Sequence, residues 1–387
     1  MKHSIGVLVA LLLVLPGSIR AQVPVDHIPH TLTLPESYPD SWVWVYVQPQ
    51  ADNFLLGSYA IVDIAATAKE FKGQVQGALF SSLIAPSAGR EFYVAEGYLD
   101  KGSHGHRSDV LTVIDKAQLN PVTEIALPGA KRGFLEGNLL EMTRDGAFLL
   151  VYNFTPAASV SVIDVHKRRL IGEVPTPGCT SIYPSGMHSF SSLCENGTLV
   201  TLTLGEKGQV LHESRSAAFN DIDHDVLFVE PASLRDVTYF VSERGNVRPV
   251  QMKDGEAQIE AAWPLMTAEQ VSDGWRTAAG RLVACDDQGH LFVRVYRETG
   301  YEAQMKDNTE VWVYDVAWHE RIRRIPLKEG GSSIEVTPGS KPYLVVVEDS
   351  GPNAAALDIY DAQAGTFIRT IGGWLPGTQL SLLQARR

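Results

Sequence analysis

VWVYDVAWHERIRRIPL, residues 311–327, decides how this chain is read. Apolar side chains alternate as far as Asp315, a polar turn follows, and a second short apolar run completes the unit. Alternation with period 2 on both sides of a turn is the pattern of two antiparallel strands. The unit returns as LTVIDKAQLNPVTEIALP (111–128), VSVIDVHKRRLIGEVPTP (160–177), LDIYDAQAGTFIRTIGG (357–373) and YAIVDIAATAKEFKGQV (59–75). Two degenerate copies lack the aspartate: LVTLTLGEKGQVLHES (199–214) and NVRPVQMKDGEAQIE (246–260).

Indexed by their turns, the copies fall at Asp63, Asp115, Asp164, Gly205, Lys253, Asp315 and Asp361, in steps of 52, 49, 41, 48, 62 and 46 residues. A strand-built period of roughly 40–50 residues is the mark of a β-propeller, one blade per repeat. Seven copies predict an all-β, seven-bladed propeller with four-stranded antiparallel blades. The aspartates have a local reason to recur, since the carboxylate accepts a backbone hydrogen bond from two residues on and closes the turn. They are read as structural, not catalytic.

A second periodic signal lies between the copies. SLIAPSAGREFYVAE (82–96), LEMTRDGAFLLVYN (140–153), SIEVTPGSKPYLVVVED (333–349) and the weaker RLVACDDQGHLFVRV (281–295) each read as the inner strand pair of a blade. One blade cannot bury both faces; stacking neighbours in a ring does. WVWVYVQ (42–48) is a strand without a copy of its own, and GWLPGTQLSLLQARR (373–387) supplies a partner for it. Pairing the two ends closes the ring and removes a free edge.

The chain has 387 residues, 44% hydrophobic and 20% charged, enough apolar material for a large core. Residues 1–21, MKHSIGVLVALLLVLPGSIRA, have a basic start, an apolar run, a Pro-Gly break and a small residue at Ala21, which reads as a signal peptide. Cleavage after Ala21 leaves 31 basic against 45 acidic residues. Residues 22–40 read as an extended arm and 41–387 as a single propeller domain. The acidic balance argues against nucleic acid and anionic membrane surfaces as partners. An exported, periplasmic protein is expected, and that compartment permits a disulfide. Cys179 and Cys194 flank a hairpin-like segment, and a bridge there would close a loop of about 15 residues. Cys285 falls in an inner strand and reads as a buried thiol.

Long polar insertions occur at 98–107 (YLDKGSHGHR) and 297–308 (RETGYEAQMKDN), and insertions of this kind gather on one face of a propeller. His104 and His106 have the spacing of a zinc pair, but with no third ligand in reach a solvated loop is the simpler reading. NDIDHD (220–225) lacks the calcium-loop spacing and reads as a polar turn. There is no nucleophile elbow, phosphate loop, His-Glu-x-x-His or haem-attachment motif.

Several stretches together resemble one family, the heavy subunit of the amine dehydrogenases that use tryptophan tryptophylquinone. GSHGHRSDVLTVID (102–115) echoes that family's Arg-Gly-x-Arg-(Ser/Thr)-Asp motif through Gly105, Arg107, Ser108, Asp109 and Asp115, with His104 where the family tends to have Arg. Gly178-Cys179 with Cys194 and Gly197 resembles its disulfide hairpin at the same spacing. Asp273-Gly274-Trp275 and residues 310–326 complete the resemblance, which covers nearly all of the mature chain.

The resemblance implies a periplasmic α2β2 heterotetramer with a small Cys-rich light chain. It places the quinone, made from two light-chain tryptophans, and the catalytic base in that partner. No catalytic residue, cofactor or metal is then expected in this chain, and Trp275 and Trp312 are not read as a cofactor. The implied activity is oxidation of a primary amine to aldehyde and ammonia, with electrons passed to a small copper protein or a cytochrome. The family's Gly-Phe-Leu-Pro, whose Phe borders the substrate channel, corresponds to Gly77-Ala78-Leu79-Phe80, so the channel position falls on Leu79 or, with a shift of one, on Phe80. The residues themselves leave open a stand-alone periplasmic propeller, either a binding or scaffold module or a lactonase-like hydrolase.

Overall fold

The alternating runs fold into strands, and the strands assemble into seven antiparallel sheets. The structure is a computed structural model and describes residues 33–48, 56–129, 138–253, 255–298, 309–348, 356–372 and 379–383. The expected leader, most of the arm and most of the 297–308 insertion lie outside the described residues.

Blade one holds residues 42–78 together with the chain's last strand, Gln379–Leu383. Blades two to seven follow in order as residues 82–126, 140–175, 179–215, 232–264, 275–326 and 331–372. The strand Trp42–Gln48 pairs antiparallel with Gln379–Leu383, Trp44 facing Leu383, so the two ends of the chain share one blade and shut the ring as expected. Arg369 of blade seven adds a clasp, donating from Nη2 to the carbonyl of Ile64 in blade one at 2.7 Å. Blade five gains a two-residue strand, Trp263–Pro264. In blade six the innermost strand is split into Trp275–Thr277 and Val283–Cys285. Among the described residues a single short helix, Ala268–Ser272, interrupts the β pattern.

The recurrent aspartates do what their chemistry suggests. Asp115 Oδ1 accepts from the N–H groups of Ala117 and Gln118 at 2.9 Å. Asp315 accepts from Ala317 at 2.8 Å, Asp361 from Gln363 at 2.9 Å, Asp63 from Ala65 at 3.2 Å and Asp164 from Lys167 at 2.8 Å. In one of the two copies without the aspartate, residues 199–214, Gln209 Oε1 accepts from the Lys207 N–H instead. Each of the seven turns then passes through one left-handed residue: Lys69, Leu119, Arg168, Gly208, Gly255, His319 or Gly365. The extra twist appears as a register shift in the strand pairing just before the turn, as at Val113/Ile114 and Val313/Tyr314.

Seven apolar clusters hold the ring, one at each junction between blades. That is the packing a strand buried on both faces requires: Val311, Val313, Leu344 and Val346 of blades six and seven form one such cluster and are at most 1% exposed. Because neighbouring strands are antiparallel, the ring has two distinct ends. The first-to-second and third-to-fourth turns of every blade lie at one, the turn end. The second-to-third loops and the interblade connections lie at the other, the loop end.

Candidate functional site

The connection from blade one to blade two occupies only Leu79, Phe80 and Ser81, between Phe71–Ala78 and Ser82–Ile84. A link this short forces a sharp corner, and Phe80 takes it with a φ of 52°, a left-handed conformation costly for a bulky residue. Leu79 points inward and is buried, whereas Phe80 is half-buried. Of the two positions proposed for the channel, Phe80 is therefore the one that offers a surface.

Two side chains, Tyr59 and Glu96, fix this corner. The Tyr59 hydroxyl donates to Ser81 Oγ at 2.9 Å inside the blade junction. The buried Glu96, on the strand Glu91–Leu99, accepts the Ala78 N–H at 3.0 Å on Oε2 and the Thr112 hydroxyl at 2.5 Å on Oε1. Partial burial, and after it the nearby Glu96 carboxylate, push the phenol of Tyr98 well above its ordinary range. Glu96 had no motif to mark it; the only hint in the sequence was an acid at an inward position of an apolar run.

The insertion of blade two folds back over the same corner. Arg107 lies over the Phe80 ring, its guanidinium carbon 5.9 Å from the centroid. Asp109 grips that guanidinium in a fork, Oδ2 accepting from Nε at 2.8 Å and Oδ1 from Nη2 at 2.6 Å. The Asp109 side chain is 1% exposed and that of Arg107 19%, so the pair is largely removed from water. Two-toothed, charge-assisted contacts of this kind fix geometry as well as energy. Gly105 serves the loop: its φ is 103°, and a Cβ there would collide with the carboxylate of Asp100, which accepts the His106 N–H at 3.0 Å. The structure thus brings Phe80 together with Arg107 and Asp109, which lie 27 and 29 residues further along the chain, in one half-buried corner at the loop end.

The remaining expected residues lie elsewhere. Trp275 is in blade six against Trp312, ring centroids 5.0 Å apart, with the Arg324 guanidinium over both rings. Glu310 holds Arg324 in a fork at 2.6 and 2.8 Å and accepts the Trp312 indole N–H at 2.6 Å. Both tryptophans are buried, 7% and 0% exposed, so this cluster closes the blade interior. Cys179 and Cys194 face each other across the first two strands of blade four and are joined as a disulfide. Cys285 is a buried thiol on an inner strand. His104 and His106 are exposed, and no cluster of metal-binding side chains occurs among the described residues. In 220–225, Asn220 Oδ1 accepts from the Leu227 N–H and Asp225 from the Arg244 N–H, each at 2.9 Å, the bonding of a polar turn.

Known proteins place this geometry. The family described as methylamine dehydrogenase heavy chain (MADH) matches residues 44–383. The methylamine dehydrogenase heavy chain of Methylorubrum extorquens is 23% identical over 318 residues, covering 80% of this chain and 75% of that protein. The protein of the same name from Paracoccus versutus is 24% identical over 348 residues, covering 87% and 78%. Among solved structures, a putative 6-phosphogluconolactonase from Bacteroides fragilis superimposes with a TM-score of 0.57 at 14% identity, over 90% of this chain and 99% of that one, a likeness of fold alone. With a family match spanning the ring from its first strand to its last, this chain belongs to the methylamine dehydrogenase heavy chain family.

Proposed function

We propose that this chain is the heavy subunit of a periplasmic quinoprotein amine dehydrogenase, paired with a Cys-rich light chain in an α2β2 heterotetramer. The observation that carries the reading is the family match over 44–383, the whole propeller. The reaction is RCH2NH3+ + H2O → RCHO + NH4+ + 2H+ + 2e−. The light-chain quinone, when present, supplies the two-electron oxidising power, and a small copper protein or cytochrome takes the electrons onward.

This chain contributes shape. Phe80 presents an aromatic wall at the loop end, and Leu79 beneath it anchors the corner in the core. Arg107 backs the ring, while Asp109 cancels its charge, so a cationic amine passes an apolar wall without meeting an unpaired guanidinium. The tryptophans in contact here, Trp275 and Trp312, are shut inside blade six behind Arg324 and Glu310. They fit a packing role, and no step is assigned to them.

The test is co-purification from the native host, followed by assay of the isolated complex with a primary amine and an artificial electron acceptor. The reading requires a small Cys-rich chain to accompany this one and amine-dependent reduction to follow. A monomer with no such companion overturns it in favour of a stand-alone propeller.

A further inference from the structure

At the turn end, opposite the Phe80 corner, the ring opens into a cavity of about 970 Å³. Most of its wall comes from in and around the innermost turns of five consecutive blades, two through six, with Val165 and His166 added from the outer turn of blade three. In blades two, three, six and seven that turn carries a glycine with positive φ: Gly89 at 86°, Gly146 at 72°, Gly289 at 102° and Gly339 at 96°. In blade four this turn has no residue with positive φ, and in blade five the left-handed position is taken by Arg235, at a φ of 55°. Glycine adopts this conformation freely and an L-residue does not. Arg235 is exposed, lines the cavity and has no hydrogen bond or ion pair among the described residues. A strained, unpaired cation at the mouth of a cavity points to a contact the side chain makes with something else.

The other charges of the wall agree. Arg90 and Arg144 line the same cavity. Arg90 is held by Glu36 at 3.1 Å in a pair whose side chains are 67% and 59% exposed. Arg144 pairs with Asp236 at the surface. Exposed pairs of this sort are weak and open readily. The acids of the wall are already engaged. Glu91 accepts from Arg168 at 2.5 Å. Asp145 accepts the Thr143 hydroxyl at 2.7 Å and pairs with His188. Asp287 accepts the Gly339 N–H at 3.0 Å. In a chain of net charge −12, three arginines from three different blades converge on one space.

We propose that the turn-end cavity binds a small oxyanion ligand, a phosphate- or carboxylate-bearing molecule, held by Arg235 with Arg90 and Arg144. The planar guanidinium fork suits either group. The site is independent of amine oxidation and lies at the opposite end of the ring from the Phe80 corner.

The experiment is thermal unfolding of the purified chain, titrated with inorganic phosphate, with citrate and with chloride at matched ionic strength. Phosphate and citrate stabilise many proteins by exclusion from the surface, an effect that does not saturate, so saturation is the signature of a site. Arg235→Gly is the decisive variant, since it restores the residue the turn prefers. Its melting temperature without ligand equals or exceeds that of the wild type, and the saturable shift is lost or needs about tenfold more ligand. Arg90→Ala and Arg144→Ala weaken the response, and Arg215→Ala, on the outer strand of blade four, leaves it unchanged. Saturation with phosphate alone assigns an inorganic or phosphorylated ligand, and saturation with citrate alone a carboxylate. No saturable shift with either anion overturns the proposal, as does an Arg235→Gly protein that responds like the wild type.

Discussion

The Arg107–Asp109 pair makes an asymmetric prediction. Remove the cation with Arg107→Ala and a carboxylate 1% exposed loses its guanidinium; remove the anion with Asp109→Ala and the arginine left behind is 19% exposed and can turn toward water. Stranding one member of a buried pair costs about 3–5 kcal/mol, and partial exposure reduces that sharply. Arg107→Ala is therefore expected to cost about 3 kcal/mol and Asp109→Ala about 1–2 kcal/mol. The double variant, which strands neither charge, is expected to be more stable than Arg107→Ala alone, with a coupling of about 2 kcal/mol. Urea midpoints for the four proteins, converted with a shared slope, give the cycle. Aspartate loss costing more than arginine loss, or singles that add to within about 0.5 kcal/mol, would refute the reasoning.

Four further outcomes follow from other parts of the ring. Replacing Cys179 and Cys194 together by serine opens a loop of sequence separation 15 and is expected to cost about 3 kcal/mol; a reductant should mimic this in the wild type and do nothing to the variant. Leu79→Ala empties a buried site, costing about 2–4 kcal/mol by urea unfolding, whereas Phe80→Ala leaves stability nearly intact and changes the relative KM of bulky and small amines; the opposite pattern would reassign the channel position to Leu79. Lys69 is exposed at a φ of 56°, so Lys69→Asn is expected to gain about 0.5 kcal/mol, and a loss of stability would count against strain at that turn. Burial, as the main cause, pushes Tyr93, Tyr239 and Tyr360 up to about 12. The folded chain then holds phenolic protons that the unfolded chain releases near the ordinary value of 10, so stability is full below that pH and falls as pH rises toward 12. Denaturant midpoints flat across that interval would contradict it.

Much of this molecule was legible in one dimension. Strand alternation, Asp-closed turns and the spacing of copies gave seven blades. The unmatched run at 42–48 gave the closure, and Cys179 and Cys194 gave the bridge. All of these rest on interactions between residues close in the chain, or on a period repeated often enough to survive degenerate copies. The corner was not legible in that way. The sequence could not choose between Leu79 and Phe80, because the motif matches in either of two registers one residue apart; the structure buries Leu79 in line with Val75 and Gly77 and leaves Phe80 half-buried. Nor could it show that Arg107, 27 residues beyond Phe80, lies over its ring, or that Glu96 caps the end of the preceding blade's outer strand. Arg235 likewise looks like any charged turn residue until the innermost turns are set side by side around the cavity. Periodicity fixes which face of a strand is buried, but which charges and rings meet across two blades is set by how the ring closes, a property no segment carries alone.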